Sequence, residues 1–265
     1  MTRSRHSWLT LIAPLCLGIL LLLGWFLTTA GGRIPSYRLP TPMEVARELW
    51  DGLVVYADFW PYIAVTLSEA LGGALLGFLV AVPSAILIYR SKIASAATLP
   101  FLGATQAIPA IALAPLLVVW VGFSMTGKVI LCAIMVFFPI LVSSVVGFRH
   151  LDQEVLSAAH MDGAGSLARL VNIEIPLALP NILAGVRNGF TLSVTGAVVG
   201  EMVMGGTYLG LGALLTAQVE ALNTARLIAI VLILALIATT LYTLVSIVER
   251  RWSNLTITQP QGETR

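Results

Sequence analysis

HLDQEVLSAAHMDGAGSLARLVNIEIPLALP, residues 150–180, is a polar segment in a chain otherwise made of membrane-length apolar runs. It gathers Asp152, Glu154, His160, Asp162, Arg169 and Glu174 beside a cluster of small residues. Asp152 is placed to cap a helix, and Glu154 then lies in its first turn, where the helix dipole favours an acid. Ala159 and Gly163 stand one turn apart and present no bulk. Gly163 or Gly165 ends this helix. Ser166 caps a second helix through Val171, and Pro176 and Pro180 open the next apolar run. A short helix that offers small residues parallel to a membrane suits docking into a groove of another protein. The plainer reading is a loop that only joins two spans.

Outward from this segment the sequence reads as an all-α polytopic membrane protein. Of its 265 residues, 58% are hydrophobic and 11% charged, and the mean hydropathy is +0.93. A soluble domain carries about 25% charged residues, so this chain could not dress a soluble surface. Six spans are expected within a single transmembrane domain, at about 8–30, 59–89, 94–123, 128–148, 178–203 and 226–248, with the polar segment at 150–177. Each is long enough for a ~30 Å hydrocarbon core at about 1.5 Å per residue. The first apolar run is longer than the roughly 7–15 residues of a cleaved signal, so it is read as a retained span.

Between the first two spans, Thr41 is placed to cap a helix that starts at Pro42 and runs from Met43 to about Tyr56. Its apolar Val45, Leu49 and Leu53 suit a helix lying on the membrane surface. Pro100, Pro109 and Pro115 predict a kinked or broken third span. The fifth is unusually small and polar, with Asn181, Gly185, Asn188, Gly189, Thr191, Ser193, Thr195, Gly196 and Gly200. Such a helix packs against others or lines a cavity. Residues 204–224 read as a glycine-rich outer segment.

Six spans put both termini on one side. With that side as cytoplasm, Arg3, Arg5, Arg90, Lys92, Arg149, Arg169, Arg250, Arg251 and Arg265 fall inside, against Arg33, Arg38, Arg47, Lys128 and Arg226 outside. The imbalance follows the positive-inside rule and makes residues 150–177 cytoplasmic. Arg187 lies within a span and is left uncounted.

Few residues suggest chemistry. Cys16 and Cys132 sit in apolar runs without metal-ligand spacing, and His6, His150 and His160 form no ligand cluster. The stretch Gly122–Val129 resembles a phosphate loop, but Val129 lacks the hydroxyl that would hold Mg²⁺, and the stretch joins two spans rather than a strand to a helix. No ATP site, metal or cofactor is therefore expected, and the small net charge of +2 gives no support to nucleic-acid binding. Three charges in spans stay open. Glu69 either reaches toward the interface or serves the permeation path or pairs with an Arg. Glu201 is either a functional carboxylate of the path or a helix-end cap of a neighbour or an interface-exposed group. Arg187 either pairs with a headgroup or carboxylate or attracts an anion.

The polar segment resembles the EAA motif of permease subunits of bacterial ATP-binding-cassette importers, whose pattern is Glu-Ala-Ala, three residues, Gly, nine residues, Ile, one residue, Leu-Pro. Ser157-Ala158-Ala159, Gly163, Ile173, Ile175 and Pro176 keep that spacing. Ser157 replaces the Glu and Ile175 the Leu, and Glu154, one turn earlier, is the alternative carboxylate. Gln106–Leu116, Trp120-Val121-Gly122, Phe137-Phe138-Pro139, Pro180–Arg187 and Gly200-Glu201-Met202 resemble the branch that includes nitrate, sulfonate, taurine, pyrimidine-precursor and riboflavin permeases. Glu69 stands where such permeases often carry Arg.

The resemblance implies a type I importer fold in the bacterial cytoplasmic membrane. It implies a second permease copy, two ATPase subunits that bind the ATP, and a solute-binding protein outside. Glu154, Ser157, Ala158, Ala159, Asp162, Gly163, Ile173 and Pro176 would then face or position the ATPase. Gln106, Asn188, Thr191, Thr195 and Glu201 are the expected residues of the translocation path. A vitamin or pyrimidine precursor and a sulfonate, nitrate or taurine-type anion both remain open as cargo. The competing class is a stand-alone secondary transporter or channel, for which no internal repeat is evident.

Overall fold

A computed structural model describes residues 5–32, 34–105, 110–206 and 209–256. Among these residues every regular element is helical. The chain divides into two compact units, residues 1–61 with 214–233, and residues 62–213 with 234–265.

In the first unit, α1 (Arg5–Ala30) is apolar around its whole circumference, as a helix in hydrocarbon can be. Trp25 Nε1 donates to the Pro40 carbonyl at 2.9 Å and fixes the chain that follows. The next helix, α2 (Pro42–Trp50), begins with a complete capping box. Glu44 N–H donates to Thr41 Oγ1 at 3.2 Å, and Thr41 N–H to Glu44 Oε2 at 2.7 Å. Helical structure continues as a π turn over Asp51–Val55, so the expected surface helix exists in two parts. Gly52 is required there, because a Cβ would stand 2.3 Å from the Phe59 ring. Arg226 lies over the same ring, 4.9 Å from its centroid, and pairs with Asp58.

The second unit is built on α3 (Phe59–Arg90), followed by α4 (Lys92–Thr105), α5 (Ala114–Val121) and α6 (Met125–Arg149). The expected third span is not one helix. A 3₁₀ turn, Ala110–Leu113, precedes α5, and residues 106–109 lie outside the described residues. Pro115 sits in the first turn of α5, where its missing N–H costs nothing. Five described stretches are long and apolar enough to cross a membrane: Ile12–Ala30, Phe59–Arg90, Met125–Arg149, Ser166–Met204 and Thr224–Trp252.

After α6 come α7 (Gln153–Met161) and α8 (Ser166–Arg169), then α9 (Ile175–Met204). Gly165, not Ser166, is the cap residue of α8, and no side-chain bond supports it. Nor does that helix stop near Val171. It runs through a π turn, Leu170–Glu174, straight into α9, with Ile175 N–H donating to the Leu170 carbonyl five residues back. Pro176 has no N–H to give to the carbonyl four residues back, so a wider turn costs little here.

Residues 204–224, expected as a glycine-rich outer segment, hold a further helix, α10 (Leu211–Glu220). The chain closes with α11 (Thr224–Thr256). The core of this unit is the α6–α9 pair, with α3 against it. Close approach depends on glycine: a Cβ at Gly185 would lie 2.7 Å from Ser143 Cβ, and one at Gly147 2.7 Å from Asn181 Cβ.

Candidate functional site: the polar segment and the charges inside the spans

The polar segment folds as a capped helix, a tight turn and a second helical stretch. Asp152 Oδ1 accepts from Glu154 N–H at 2.8 Å and starts α7. At the other end Ala164 N–H bonds back to the Ala159 carbonyl, and Gly163 takes φ +78°, which favours glycine. Glu154, Ser157, Ala158, Asp162 and Gly163 are exposed, whereas Leu156 and Ala159 are buried. Ala159 is thus a packing residue of this segment, and the outward face is carried by Glu154, Ser157 and Ala158. Ile173 and Pro176 are half-buried where the segment joins α9. A cavity of about 460 Å³ opens beside α7, lined by Tyr89, Gln153, Leu156, Ser157, His160, Met161 and Arg169.

Glu174, which the motif leaves as an unspecified position, is fully buried and anchors the segment. Its Oε2 accepts from Arg90 Nη2 and its Oε1 from Arg169 Nε, both at 2.8 Å. Arg90, the last residue of α3, also donates to Ser166 Oγ at 2.6 Å and to the Ser166 carbonyl at 3.0 Å. The π turn brings Glu174 to these two cations.

A second cluster lies within the spans. Glu69 on α3 and Lys128 in the first turn of α6 pair at 3.2 Å, with side chains 0% and 1% exposed. Glu69 therefore does not reach for the interface, and Lys128 is not a charge of an aqueous loop. Glu201 on α9 belongs to the same charge cluster. Its Oε1 accepts from Thr66 Oγ1 at 2.7 Å and its Oε2 from Gly212 N–H, while Thr66 Oγ1 accepts from Leu211 N–H at 2.8 Å. The carboxylate holds the start of α10 and is turned away from the exposed side of α9. Gly210 has to be glycine beside it, since a Cβ there would fall 1.8 Å from Glu201 Oε1. Lys128 and Glu69 stand two spans apart in sequence, and nothing in the spacing pairs them.

On α9 the small and polar residues separate into two faces, and the expected path residues other than Glu201 fall on the more exposed one. Asn188 and Thr195 are exposed, Thr191 is half-buried, and Asn181 continues the same line two turns earlier. Gly185, Gly189, Ser193 and Gly196 lie on the buried face. Arg187 is not free: Nη1 donates to Glu249 Oε2 at 2.9 Å, and the guanidinium stands 5.1 Å from the Tyr242 ring centroid. Gln106 lies outside the described residues.

Apolar helices of spanning length, internal polar clusters and a structured polar segment between them define an α-helical membrane protein. Its family follows from comparison. The chain belongs to the family of binding-protein-dependent transport system inner membrane components, which matches residues 73–254. It is 38% identical over 252 residues to the riboflavin transport system permease protein RibX of Chloroflexus aurantiacus, covering 94% of this chain and 92% of that one. It is 31% identical over 176 residues to the formylaminopyrimidine transport permease protein ThiX of Halalkalibacterium halodurans, covering 66% and 69%. The fold matches an inward-facing structure of the MetNI methionine ABC transporter with a TM-score of 0.62 and 17% identity, over 80% of this chain and 98% of that one. The chain is a permease component of an ABC importer for small solutes, with the importer permease fold.

Proposed function

We propose that the chain carries an uncharged, hydrogen-bonding heterocycle of the riboflavin or pyrimidine-precursor kind across the cytoplasmic membrane, driven by a separate ATPase. The observation that carries this reading is the commitment of Arg187 to Glu249. A sulfonate or nitrate gains from a cation held in the membrane, and Arg187, the cation within the fifth span, is already neutralised. The exposed line on α9 instead offers amide and hydroxyl groups from Asn188, Thr191 and Thr195. Those groups suit ring nitrogens and carbonyls, and the names of RibX and ThiX point the same way.

In this reading two copies enclose the path, with both termini in the cytoplasm and a solute-binding protein outside. Two ATPase subunits meet the outward face of α7 at Glu154, Ser157 and Ala158, and Gly163 gives the turn that lets α7 present that face. The reading rests on the motif spacing and on the exposure of those side chains.

The test is uptake into proteoliposomes that hold the permease, its neighbouring ATPase and the solute-binding protein. Radiolabelled riboflavin should accumulate only with internal or external ATP accessible to the ATPase, and taurine should not. ATP-dependent taurine uptake without riboflavin uptake would overturn the cargo assignment. Uptake that persists without the ATPase would overturn the coupling.

A further inference from the structure

We propose that Arg90 and Glu174 are positioning residues that fasten α3 to the polar segment, so that α3 follows any displacement the ATPase imposes on α7 and α8. The inference rests on the coupling reading above and adds to it the residues that carry the motion into the spans. Motif spacing places docking residues on α7. It does not say how a helix on the water side moves a helix in the membrane.

The geometry answers that question at one point. Glu174 is 0% exposed and takes one hydrogen bond from each of two cations, Arg90 on α3 and Arg169 on α8. Arg90 in turn grips Ser166 through both its hydroxyl and its carbonyl. The last residue of α3 and the last residue of α8 therefore share one carboxylate in the π turn leading into α9, and Arg90 ties in the first residue of α8 as well. A fully buried carboxylate cannot let go of its cations without a large desolvation cost, so the joint transmits pull as well as push. A guanidinium fork also fixes direction, which a single ammonium does not. The π turn makes the joint possible, because it places Glu174 on the inner side of the helix where a regular turn would leave it elsewhere.

The wild-type complex with its ATPase is compared with Glu174→Gln and Arg90→Lys. Nitroxide labels are placed at Leu87 on α3 and Val155 on α7, both exposed. Their distance is read by pulsed electron resonance without nucleotide and with ATP trapped by vanadate. Riboflavin uptake per ATP hydrolysed is measured alongside. In wild type the two labels should move together, giving one distance in both states. In Glu174→Gln, with the ATPase still co-purifying, the distance should become nucleotide-dependent, and uptake per ATP should fall by roughly tenfold.

Arg90→Lys keeps a charge for Glu174 but loses the fork to Ser166, and it should fall between the two. It also serves if Glu174→Gln does not assemble. An ATP-independent distance and unchanged uptake per ATP in the variants would overturn the linkage. Failure of the wild-type permease to hold its ATPase would instead overturn the coupling reading beneath it. If riboflavin is not the cargo, wild-type uptake is absent while the distance measurement still decides.

Discussion

Lys128 is the residue whose loss should be felt most among the membrane-embedded charges. At 3.2 Å from Glu69, two unit charges interact by about 5 kcal/mol at an effective dielectric constant of about 20. Burial removes part of that gain, and removing one partner of a buried pair typically costs about 3–5 kcal/mol. The two partners are not equivalent. Lys128→Met leaves Glu69 and Glu201 in one cluster without a cation. Glu69→Gln leaves Lys128 with Glu201 as its counter-charge.

Lys128→Met is therefore expected to cost about 3–5 kcal/mol. Glu69→Gln should cost clearly less, about 1–2 kcal/mol. The double variant should cost less than the sum by about 1–3 kcal/mol. Thermal unfolding of the detergent-solubilised permease carrying Cys16→Ser, followed by a thiol-reactive dye that then reports the buried Cys132, gives the ranking. At about 2–4 °C per kcal/mol, Lys128→Met should shift the midpoint on the order of ten degrees. If Lys128→Met is no more harmful than Glu69→Gln, or the two are additive, the cluster does not work as described.

Gly210→Ala forces a methyl group onto the Glu201 carboxylate and breaks its bonds to Thr66 and Gly212. It should cost about 2–4 kcal/mol, and hydrogen exchange should rise at the first amides of α10 while those of α6 stay protected. Gly163→Val meets open space but a φ of +78°. It should cost about 1–2 kcal/mol and lower the ATPase recovered with the permease, whereas unchanged recovery and uptake would remove Gly163 from the coupling element. Arg187→Gln removes a pair that is about a quarter exposed at each partner. It should change stability by less than about 1 kcal/mol and leave riboflavin uptake intact, and a selective loss of uptake would restore Arg187 as a cargo contact.

What the sequence made legible was what depends on local order. The cap at Asp152, the capping box at Thr41, and the break among Pro100, Pro109 and Pro115 each involve neighbours within a few residues. Hydropathy marks apolar runs for the same reason. The charge pairs were illegible because they are set by packing. Glu69 and Lys128 meet only once α3 lies against α6, and a lone acid in an apolar run looks alike whether it reaches water or finds an amine. Glu174 was hidden differently. It falls at a free position of the motif, and only the π turn before Pro176 places it between Arg90 and Arg169. The cue that existed was an acid in the middle of Ile173–Ile175, where water offers no reason for one.

The two faces of α9 make separate demands that together constrain the assembly. One face is small so that α6 can come close, and at Gly185 and Gly147 a single methyl group would push the helices apart. The exposed flank beside it presents Asn181, whose Cβ lies against Gly147, with Asn188 and Thr195, which a helix bathed in acyl chains would leave without partners at real cost. Thr191 relieves its own hydroxyl by bonding back to the Arg187 carbonyl. Uncharged polar groups at this depth need either water or the matching face of another helix. In the proposed reading, a path closed by a second copy would supply both, with water when open and a protein face when shut. Glu201 stays clear of that face because Thr66, Gly212 and the start of α10 already occupy it. Under that proposal, the polarity of this span and the sequestration of its charges would follow from one requirement, a lining that hydrogen-bonds a passing solute without holding it by charge.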